Sequence, residues 1–569
     1  MAAARWLRTV PVSAVPIGVR VVPIGYSAGL ALLIAGPLLG PGYLLWRDAV
    51  ATPRSYLTDS ALGLGDTAPR AVPQDAAVAV LSVVLDGGWV VRLILVLALW
   101  LAGWGAARLV RELLSVGIGP QLVAATVAVW NPYVAERLLQ GHWSLLTGYA
   151  ALPWVALAAR EASWFALLAA SAAAGLTPTG GVLAAILAAV VVPLRRLPAI
   201  AAVAVGAAAP WLVASLFGGS AGIGDPAGVA AFAARAEPGL GTLGSLAGLG
   251  GIWNADAVPS SRTGGFALVG TVVLLGVVAL GLPALWRTRD RTVRALLLSA
   301  GLAVLLPAAA ATPLGLSTVE WMVRQVPGAG LFRDTQKWVA LAVPGYTLAA
   351  AAGCRALAAR TTSAAAVPLA GLVLLALPDL AWGVGNTMHP VRYPPGWSRV
   401  ADAVRGDGAV AVLPAGMFRT FPGVPVPVLD PAPRMVRADV LQTGDLPVGG
   451  TVVAGEGAWA RQVQRLLTAG ADPARLADLG VGWVLVERTS GGALGAAQRT
   501  VDRLPVVYAD ADLALYAVGT PRVQRPPPAQ RAGVVAAHLL WAGIGVGGLL
   551  GASGLLGAVV GAIRRRDQP

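Results

Sequence analysis

The sequence predicts an α-helical polytopic membrane protein with about twelve transmembrane helices and a small extracytoplasmic α/β domain before the last helix. Hydrophobic residues make up 56% of the 569 residues and charged residues only 12%, and the mean hydropathy is +0.70. A soluble protein of this length could not bury so much apolar surface, whereas a bilayer accommodates it. Hydrophobicity falls in the segment 382–532, the longest of the outer connections, where the alternation typical of soluble strands appears.

Apolar stretches of roughly 20 residues, the length that crosses a bilayer, recur along the chain. No small-residue cleavage site follows the N-terminal arginines, so the first stretch is predicted to be a retained span. Around Leu176–Gly181 the stretches are short and indicate either a helical hairpin or one broken helix. The predicted spans lie near 26–45, 88–107, 117–131, 145–159, 163–176, 180–193, 198–217, 266–286, 295–312, 337–353, 364–381 and 533–562.

The arginines predict the orientation of these spans. With twelve crossings and a cytoplasmic N-terminus, the arginine-rich loops all fall on the cytoplasmic side, as the positive-inside rule requires. The C-terminus is then also cytoplasmic, and the protein is predicted to lie in the plasma membrane. These basic residues are Arg108, Arg111, Arg160, Arg195, Arg196, the arginines of 287–294, Arg355, Arg360 and the tail ending at Arg566.

Three parts follow from this organisation. Residues 1–381 form the transmembrane part, with outer loops 46–87, 217–265 and 313–336. Residues 382–532 form the extracytoplasmic α/β domain and a proline-rich linker, and 533–569 form the last span and a basic cytoplasmic tail. In the α/β domain, strands are predicted at 408–414, 481–487 and within 504–517, and helices at 457–470 and 472–480.

Composition also excludes several classes of function. The net charge of +14 lies in short loops and not on one basic face, so nucleic acid is not an expected partner. Cys354 is the only cysteine, and the three histidines are scattered, so neither a disulfide nor a metal site is predicted. Phosphate-loop and HExxH motifs are absent from the sequence, and the apolar spans lack the carboxylates typical of ion-coupled transporters.

The first outer loop carries Asp48, Asp59, Asp66 and Asp75. Any one of these carboxylates could simply be solvated. Asp48 differs because it follows the first span directly, where the helix end would hold it near the membrane surface. A carboxylate fixed there could act as a general base toward an attacking hydroxyl.

The stretch Trp130–Trp154 concentrates polar residues in an otherwise apolar chain. Asn131 and Pro132 predict a helix start, since Asn caps helices and Pro suits the first turn. Two interpretations remain open: an interfacial helix with aromatic anchors and an internal Glu–Arg pair, or part of a substrate site. The candidate substrate-binding residues are Asn131, Tyr133, Glu136, Arg137, Gln140, His142 and Trp143.

Two cations in "FRDTQKW" lie on the predicted outer side, against the local charge bias. Arg333 and Lys337, the only lysine, are four residues apart and could together bind a donor phosphate. The alternative is that they pair with Asp334 or another loop carboxylate. A further loop, 250–265, contains Trp253, Asn254 and Asp256, which are residue types that stack on sugars and form hydrogen bonds to them.

Several of these motifs together resemble actinobacterial membrane proteins related to GT-C glycosyltransferases, which use polyprenyl-phosphate sugars. The motifs are "GYLLWRDAV", "GLGDTAPRAVPQD", "WNPYVAERLLQGHWSLLTGYAALPW" and "FRDTQKW". The similarity covers roughly residues 20–381. The proteins that this region resembles include the membrane part of cell-wall arabinofuranosyltransferases. At the position of the family's catalytic aspartate this sequence has Asp48 alone, where many members have two acidic residues.

The resemblance implies a GT-C fold and an inverting transfer on the outer face of the plasma membrane. An acceptor hydroxyl of a cell-envelope glycan or glycolipid would attack the anomeric carbon of a polyprenyl-phosphate-linked sugar, with Asp48 as base. No cofactor is implied, and the partners are membrane lipids, the lipid-linked sugar and the acceptor. Two alternatives stay open: a translocator of lipid-linked glycans, and a non-catalytic scaffold for envelope assembly.

Overall fold

The computed structural model describes residues 17–218, 224–361, 363–448, 450–523 and 525–554. Up to residue 386 the chain is mostly helical and carries one small strand pair, β1 (Leu45–Trp46) and β2 (Ala49–Val50). Its helices are α1 (Ile17–Ala35), α2 (Gln74–Leu81), α3 (Gly87–Leu114), α4 (Ile118–Val129), α5 (Pro132–Leu139), α6 (Trp143–Glu161), α7 (Trp164–Ala174), α8 (Pro178–Val191), α9 (Leu197–Phe217), α10 (Ala227–Ala231), α11 (Gly241–Ala247), α12 (Phe266–Ala279), α13 (Leu282–Trp286), α14 (Arg291–Ala310), α15 (Pro313–Gln325), α16 (Val343–Ala358), α17 (Ala366–Leu375) and α18 (Ala381–Asn386).

Membrane-spanning candidates are fewer than predicted. Seven helical segments of the described ranges qualify, and an eighth is added if Ala366–Leu375 and Pro378–Asn386, two helices that meet at an angle of 75°, form a single span. These helices support a multi-pass membrane protein, but the predicted count of twelve is not confirmed. Among the described residues, seven helical segments are long and apolar enough to cross: Gly18–Leu39, Gly87–Leu114, Leu194–Phe217, Phe266–Trp286, Arg291–Ala310, Thr335–Ala358 and Pro528–Ala552.

Length explains most of the difference. The predicted spans near 117–131, 163–176 and 180–193 form helices, but α4 has 12 residues, α7 has 11 and α8 has 14. At 1.5 Å per residue these reach only about 16–21 Å, less than the roughly 30 Å of the hydrocarbon core. Between α7 and α8 the chain forms two separate helices, because Thr177 caps α8 by accepting from Gly180 N at 3.1 Å.

The loops predicted to be cytoplasmic meet at one end of the bundle. Arg355 donates to Leu114 O at 2.9 Å, Arg291 donates to Val192 O at 2.9 Å, and Arg160 pairs with Asp290 at 3.0 Å. The positively charged loops therefore lie together, as the charge pattern requires. Which compartment this end faces stays a prediction, and residues 1–16 and the tail 555–569 lie outside the described residues.

A four-stranded sheet dominates the segment after α18. The sheet has the order β3-β8-β10-β9, with β3 parallel to β8 and the other pairs antiparallel. The strands are β3 (Ala409–Leu413), β4 (Phe418–Arg419), β5 (Val428–Leu429), β6 (Leu446–Val448), β7 (Thr451–Val453), β8 (Val481–Glu487), β9 (Val506–Ala509) and β10 (Leu513–Ala517). The helices are α19 (Gly396–Ala403), α20 (Ala432–Met435), α21 (Ala458–Thr468), α22 (Pro473–Asp478), α23 (Gln498–Val501) and α24 (Pro528–Ala552).

Helices cover this sheet on two faces. One apolar cluster joins Val463 and Leu476 to one face, and another joins Trp397 and Met435 to the opposite face. Burial on both faces explains why β8 is apolar almost without alternation. The predicted strands and the helices α21 and α22 are confirmed, and α24 returns to the bundle, where Trp541 donates to Ala172 O at 2.9 Å. The exact domain boundaries stay a prediction.

Three aspartates of the first loop have fixed partners, two in this α/β part and one at the start of α24. Asp59 pairs with Arg531 at 3.1 Å, Asp66 accepts from Ala460 N at 3.0 Å, and Asp75 pairs with Arg434 at 3.1 Å. These carboxylates are therefore structural partners and not freely solvated groups. Asp48 is the one aspartate of the four that faces elsewhere.

Candidate functional site

Helix α5 begins as predicted. Asn131 accepts a hydrogen bond from Val134 N at 3.1 Å, and Pro132 occupies the first turn. The Asn131 amide also donates to Val127 O at 2.9 Å and ties α5 to α4. Every residue of α5 is buried, so this helix supports the site from inside the protein and does not lie on the surface.

The turn between β1 and β2 carries Asp48. The backbone N–H of Asp48 donates to Gln140 O at 3.2 Å, and the Trp46 indole donates to Leu139 O at 2.7 Å. Arg47 adopts a φ of +49° and donates to Asp256 O at 2.8 Å. The end of α5 therefore fixes the backbone on which Asp48 sits.

One oxygen of the Asp48 carboxylate receives two side-chain donors. Gln140 Nε2 lies 3.2 Å from Oδ2, and His142 Nε2 lies 3.1 Å from the same atom. The Gln140 oxygen accepts in turn from Asn254 at 2.8 Å. The Asp48 side chain is 29% exposed, and its Oδ1 has no hydrogen-bond partner among the described residues. Asp48 thus presents one free carboxylate oxygen to solvent.

Arg137 determines the proton positions on His142. Arg137 Nη1 lies 3.1 Å from His142 Nδ1, and a guanidinium can only donate. His142 Nδ1 is therefore the acceptor, and Nε2 carries the proton that it donates to Asp48. Burial lowers the pKa of His142, although the Asp48 hydrogen bond and charge oppose the shift. The imidazole is accordingly neutral at pH 7, with its tautomer fixed.

A buried ion pair lies behind His142. Arg137 donates to both oxygens of Asp334, at 2.8 and 3.0 Å, and also to Gln336. Burial alone would raise the pKa of Asp334, but the charges of Arg137 and Lys337 lower it to about 2. Lys337 Nζ lies 3.6 Å from Asp334, so the pairing considered as an alternative does occur. Lys337 is also close enough to Asp48 for their charges to interact.

Glu136 contacts the 250–265 loop and not the Asp48 carboxylate. Its carboxylate accepts from Gly251 N, Ile252 N and Gln336 Nε2, each at 3.1 Å. Burial, and then the neighbouring Glu237, raise the pKa of Glu136 to about 8, although the charges of Arg262 and Arg137 oppose the shift. Glu136 therefore anchors the 250–265 loop to α5, and the internal Glu–Arg pair considered above does not form.

Replacing Arg137 by glutamine is expected to destabilise the protein by about 3–5 kcal/mol, because Asp334 would keep a buried charge without its main partner. The measurement is thermal unfolding of the purified protein in detergent, beside Arg503→Gln. Arg503 is 57% exposed and lies 3.6 Å from Asp472, so its loss should cost about 1 kcal/mol or less. Equal melting temperatures for the two variants would contradict the account.

The remaining candidates divide between the core and a separate surface. Tyr133 is buried, stacks on Tyr149 with centroids 5.3 Å apart, and donates to Lys337 O at 3.1 Å. Trp143 is buried in the apolar core. With Asn131, Glu136 and Arg137 also buried, direct substrate contact by these five side chains stays a prediction that their burial disfavours.

Arg333 does not join the Asp48 cluster. That Arg333 and Lys337 bind one phosphate together stays a prediction, which the different neighbours of the two side chains disfavour. Arg333 follows one 3-10 helix, Ala329–Phe332, and Lys337 lies in the next, Thr335–Ala342, with the non-helical Asp334 between them. The two residues therefore do not share the face of one α-helix.

Sequence reasoning missed two parts of the site. Gln336 bridges Arg137 and Glu136 from within the stretch that is notable in the sequence for its cations. Glu237 and Arg262 form a fully buried ion pair beside Glu136, with Arg262 Nε 3.0 Å from the carboxylate. Nothing local in the sequence marks these two as partners. No group of three or more potential metal ligands occurs among the described residues.

Solved structures of similar fold exist. The cryo-EM structure of arabinofuranosyltransferase AftD from mycobacteria aligns with a TM-score of 0.55 and 18% identity, over 89% of this chain and 40% of that chain. A structure of an AftD mutant aligns with a TM-score of 0.52 and 17% identity, over 87% and 41%. This chain thus spans about 40% of the length of AftD.

At this identity the likeness concerns the fold. It confirms the predicted resemblance to GT-C arabinofuranosyltransferases at that level. No family model matches the sequence, and no curated protein is similar to it in sequence. Fold alone does not determine chemistry, so function has to be argued from the site.

Proposed function

We propose that this protein is a membrane glycosyltransferase of the cell envelope, which moves a sugar from a polyprenyl-phosphate donor to a glycan or glycolipid acceptor on the outer face of the plasma membrane. The observation that carries the proposal is the Asp48 carboxylate. It is held through one oxygen by Gln140 and His142, is open at the other, and is within the electrostatic range of Lys337. The AftD-like fold supports the same reading.

Asp48 is the proposed general base. The acceptor hydroxyl would lose its proton to Oδ1 as its oxygen bonds to the anomeric carbon, with inversion. Because His142 is neutral and donates from Nε2, it leaves Asp48 its negative charge and fixes the carboxylate plane. Gln140 adds a second donor to the same oxygen, so the base is oriented before the acceptor arrives.

Lys337 is the proposed partner of the leaving phosphate. As the bond between the anomeric carbon and the phosphate oxygen breaks, negative charge grows on the phosphate, and a nearby ammonium stabilises it. A separation of 3.6 Å from Asp334 leaves the ammonium without a short ion pair, so it can turn toward a ligand. A phosphate leaves without protonation, and one carboxylate is therefore sufficient, in contrast to the two that glycosidases need.

Lys337→Gln is expected to weaken donor use about tenfold or more, since a charge-assisted contact contributes roughly 1.5–3 kcal/mol. The value to measure is kcat/KM for the lipid-linked sugar, at a saturating acceptor concentration. Arg324→Gln is the control, because Arg324 is 59% exposed and pairs only with Glu320 at 3.6 Å. If Lys337→Gln transfers as well as Arg324→Gln, the ammonium does not serve the phosphate.

A further inference from the structure

Arg333 lies on a surface that the proposed reaction does not use. Its guanidinium carbon is 5.5 Å from the centre of the Phe232 ring, and its Nε donates to Gly330 O at 3.2 Å. Both Arg333 and Phe232 are half-buried. The guanidinium thus lies over an aromatic ring, and its two outer nitrogens form no hydrogen bond to any described residue.

A glycine makes room for this arrangement. A Cβ at Gly228 would lie 2.7 Å from Arg333 Nη1 and 3.2 Å from a Val453 methyl carbon. The guanidinium therefore occupies, between α10 and the β6–β7 hairpin, a position from which a side chain at residue 228 would displace it. The slot is built jointly by the membrane part and the α/β part.

No carboxylate pairs directly with Arg333. Within the described ranges of the chain it forms no ion pair, although the charges of Glu456 and Asp225 act on it. Glu456 pairs with Arg70 at 2.5 Å, and Asp225 accepts from Ala227 N and Ala454 N at 2.9 and 2.8 Å. Burial, and then the like charge of Arg70, lower the pKa of Arg333, although the charges of Glu456 and Asp225 oppose the shift. A half-buried guanidinium whose two outer nitrogens form no hydrogen bond can bind an anionic ligand.

Aromatic rings connect this slot with the Asp48 site. Phe232 meets Trp253 edge to face, with centroids 4.8 Å apart. The next residue, Asn254, donates to Gln140, which itself donates to Asp48. Trp253, like Phe232, is half-buried. Two half-buried aromatic rings therefore lie between Arg333 and the loop that contacts Gln140.

We propose that Trp253, Phe232 and Arg333 form a second binding site, beside the Asp48 site, for a carbohydrate chain that carries a phosphate or carboxylate group. The rings would stack on sugar units, and Arg333 would bind the anion through its two outer nitrogens. The assignment of this chain to the acceptor rests on the proposed function. The existence of the site does not, since binding can be measured without transfer.

The test is saturation-transfer NMR on the full-length protein in neutral detergent. The probes are glucose 6-phosphate, glucuronate, glucose and inorganic phosphate. Lys337→Gln serves as the background, so that any phosphate binding at the Asp48 site is removed. Arg333→Gln and Gly228→Ala are each combined with Lys337→Gln in a separate double variant. Arg324→Gln, combined with Lys337→Gln in the same way, is the matched control. Gly228→Ala keeps the charge and only displaces the guanidinium.

In the Lys337→Gln background, glucose 6-phosphate and glucuronate are expected to bind more tightly than glucose or inorganic phosphate. Adding Arg333→Gln or Gly228→Ala should weaken both sugar anions by about tenfold, whereas adding Arg324→Gln should not. Equal binding with and without Arg333 would overturn the proposal.

Two further outcomes would identify a different ligand and also overturn the proposal. Inorganic phosphate that binds as tightly as glucose 6-phosphate would indicate a plain phosphate site. Loss of sugar-phosphate binding when phosphatidylglycerol is added to the micelles would indicate a lipid headgroup site. A protein that binds these probes at Arg333 but transfers no sugar would refute only the proposed function.

Discussion

Asp48→Asn is expected to reduce sugar transfer by about 10²- to 10⁴-fold, the usual contribution of a positioned general base. The amide keeps the shape of the side chain but cannot take up the acceptor's proton. The loss should appear in kcat, while the KM for the donor changes little, because Lys337 still meets the phosphate. The measurement is steady-state transfer of radiolabelled sugar.

Asp402→Asn is the matched control for this loss. Asp402 is 64% exposed on the α/β part and lies 3.6 Å from Arg437, so its replacement should leave transfer unchanged. Asp48→Asn with the activity of Asp402→Asn would exclude Asp48 as the base. A translocator would show the same insensitivity and would move lipid-linked sugar across vesicles with either variant.

Gly141→Ala is expected to cost about 2–5 kcal/mol of stability and to displace Asp48. Residue 141 has a φ of +84°, where a Cβ costs about 1–2 kcal/mol, and overpacking adds about 1–3 kcal/mol. The added methyl would lie 2.5 Å from Trp46 O and 2.9 Å from Asp48 N, and would also collide with Ala49 N. Transfer activity should fall together with the melting temperature.

Gly328→Ala separates backbone strain from collision. Gly328 has a φ of +83°, but no described atom lies within 4 Å of the position that an alanine Cβ would take, so only the strain of about 1–2 kcal/mol applies. The measurements are melting temperature and transfer for both variants. Equal losses would mean that the contact between Gly141 and the Asp48 turn does not position the base.

Local sequence patterns predict correctly those elements whose formation depends on neighbouring residues alone. The Asn131–Pro132 helix start, the strands of the α/β part and the clustered basic loops follow from capping chemistry, alternation and charge asymmetry. The number of membrane-spanning helices is predicted less well. Apolar composition alone does not distinguish a helix that crosses the whole bilayer from helices as short as α4 or α7.

Long-range partners cannot be predicted in the same way. Arg137 pairs with Asp334, 197 residues later, and Glu136 with the amides of Gly251 and Ile252. Spacing places Arg333 and Lys337 together only if both belong to one α-helix, but the non-helical Asp334 lies between them. Residue type and region predict Asp48, Gln140 and His142 as candidates, but only the fold shows that they touch.

The most direct test is transfer of radiolabelled sugar from a panel of polyprenyl-phosphate donors to an envelope lipid extract by the purified parent protein. The account predicts that at least one donor is used and that the anomeric configuration of the product is inverted. If the parent binds these donors but transfers sugar from none of them, the Asp48 site is not a glycosyl-transfer site.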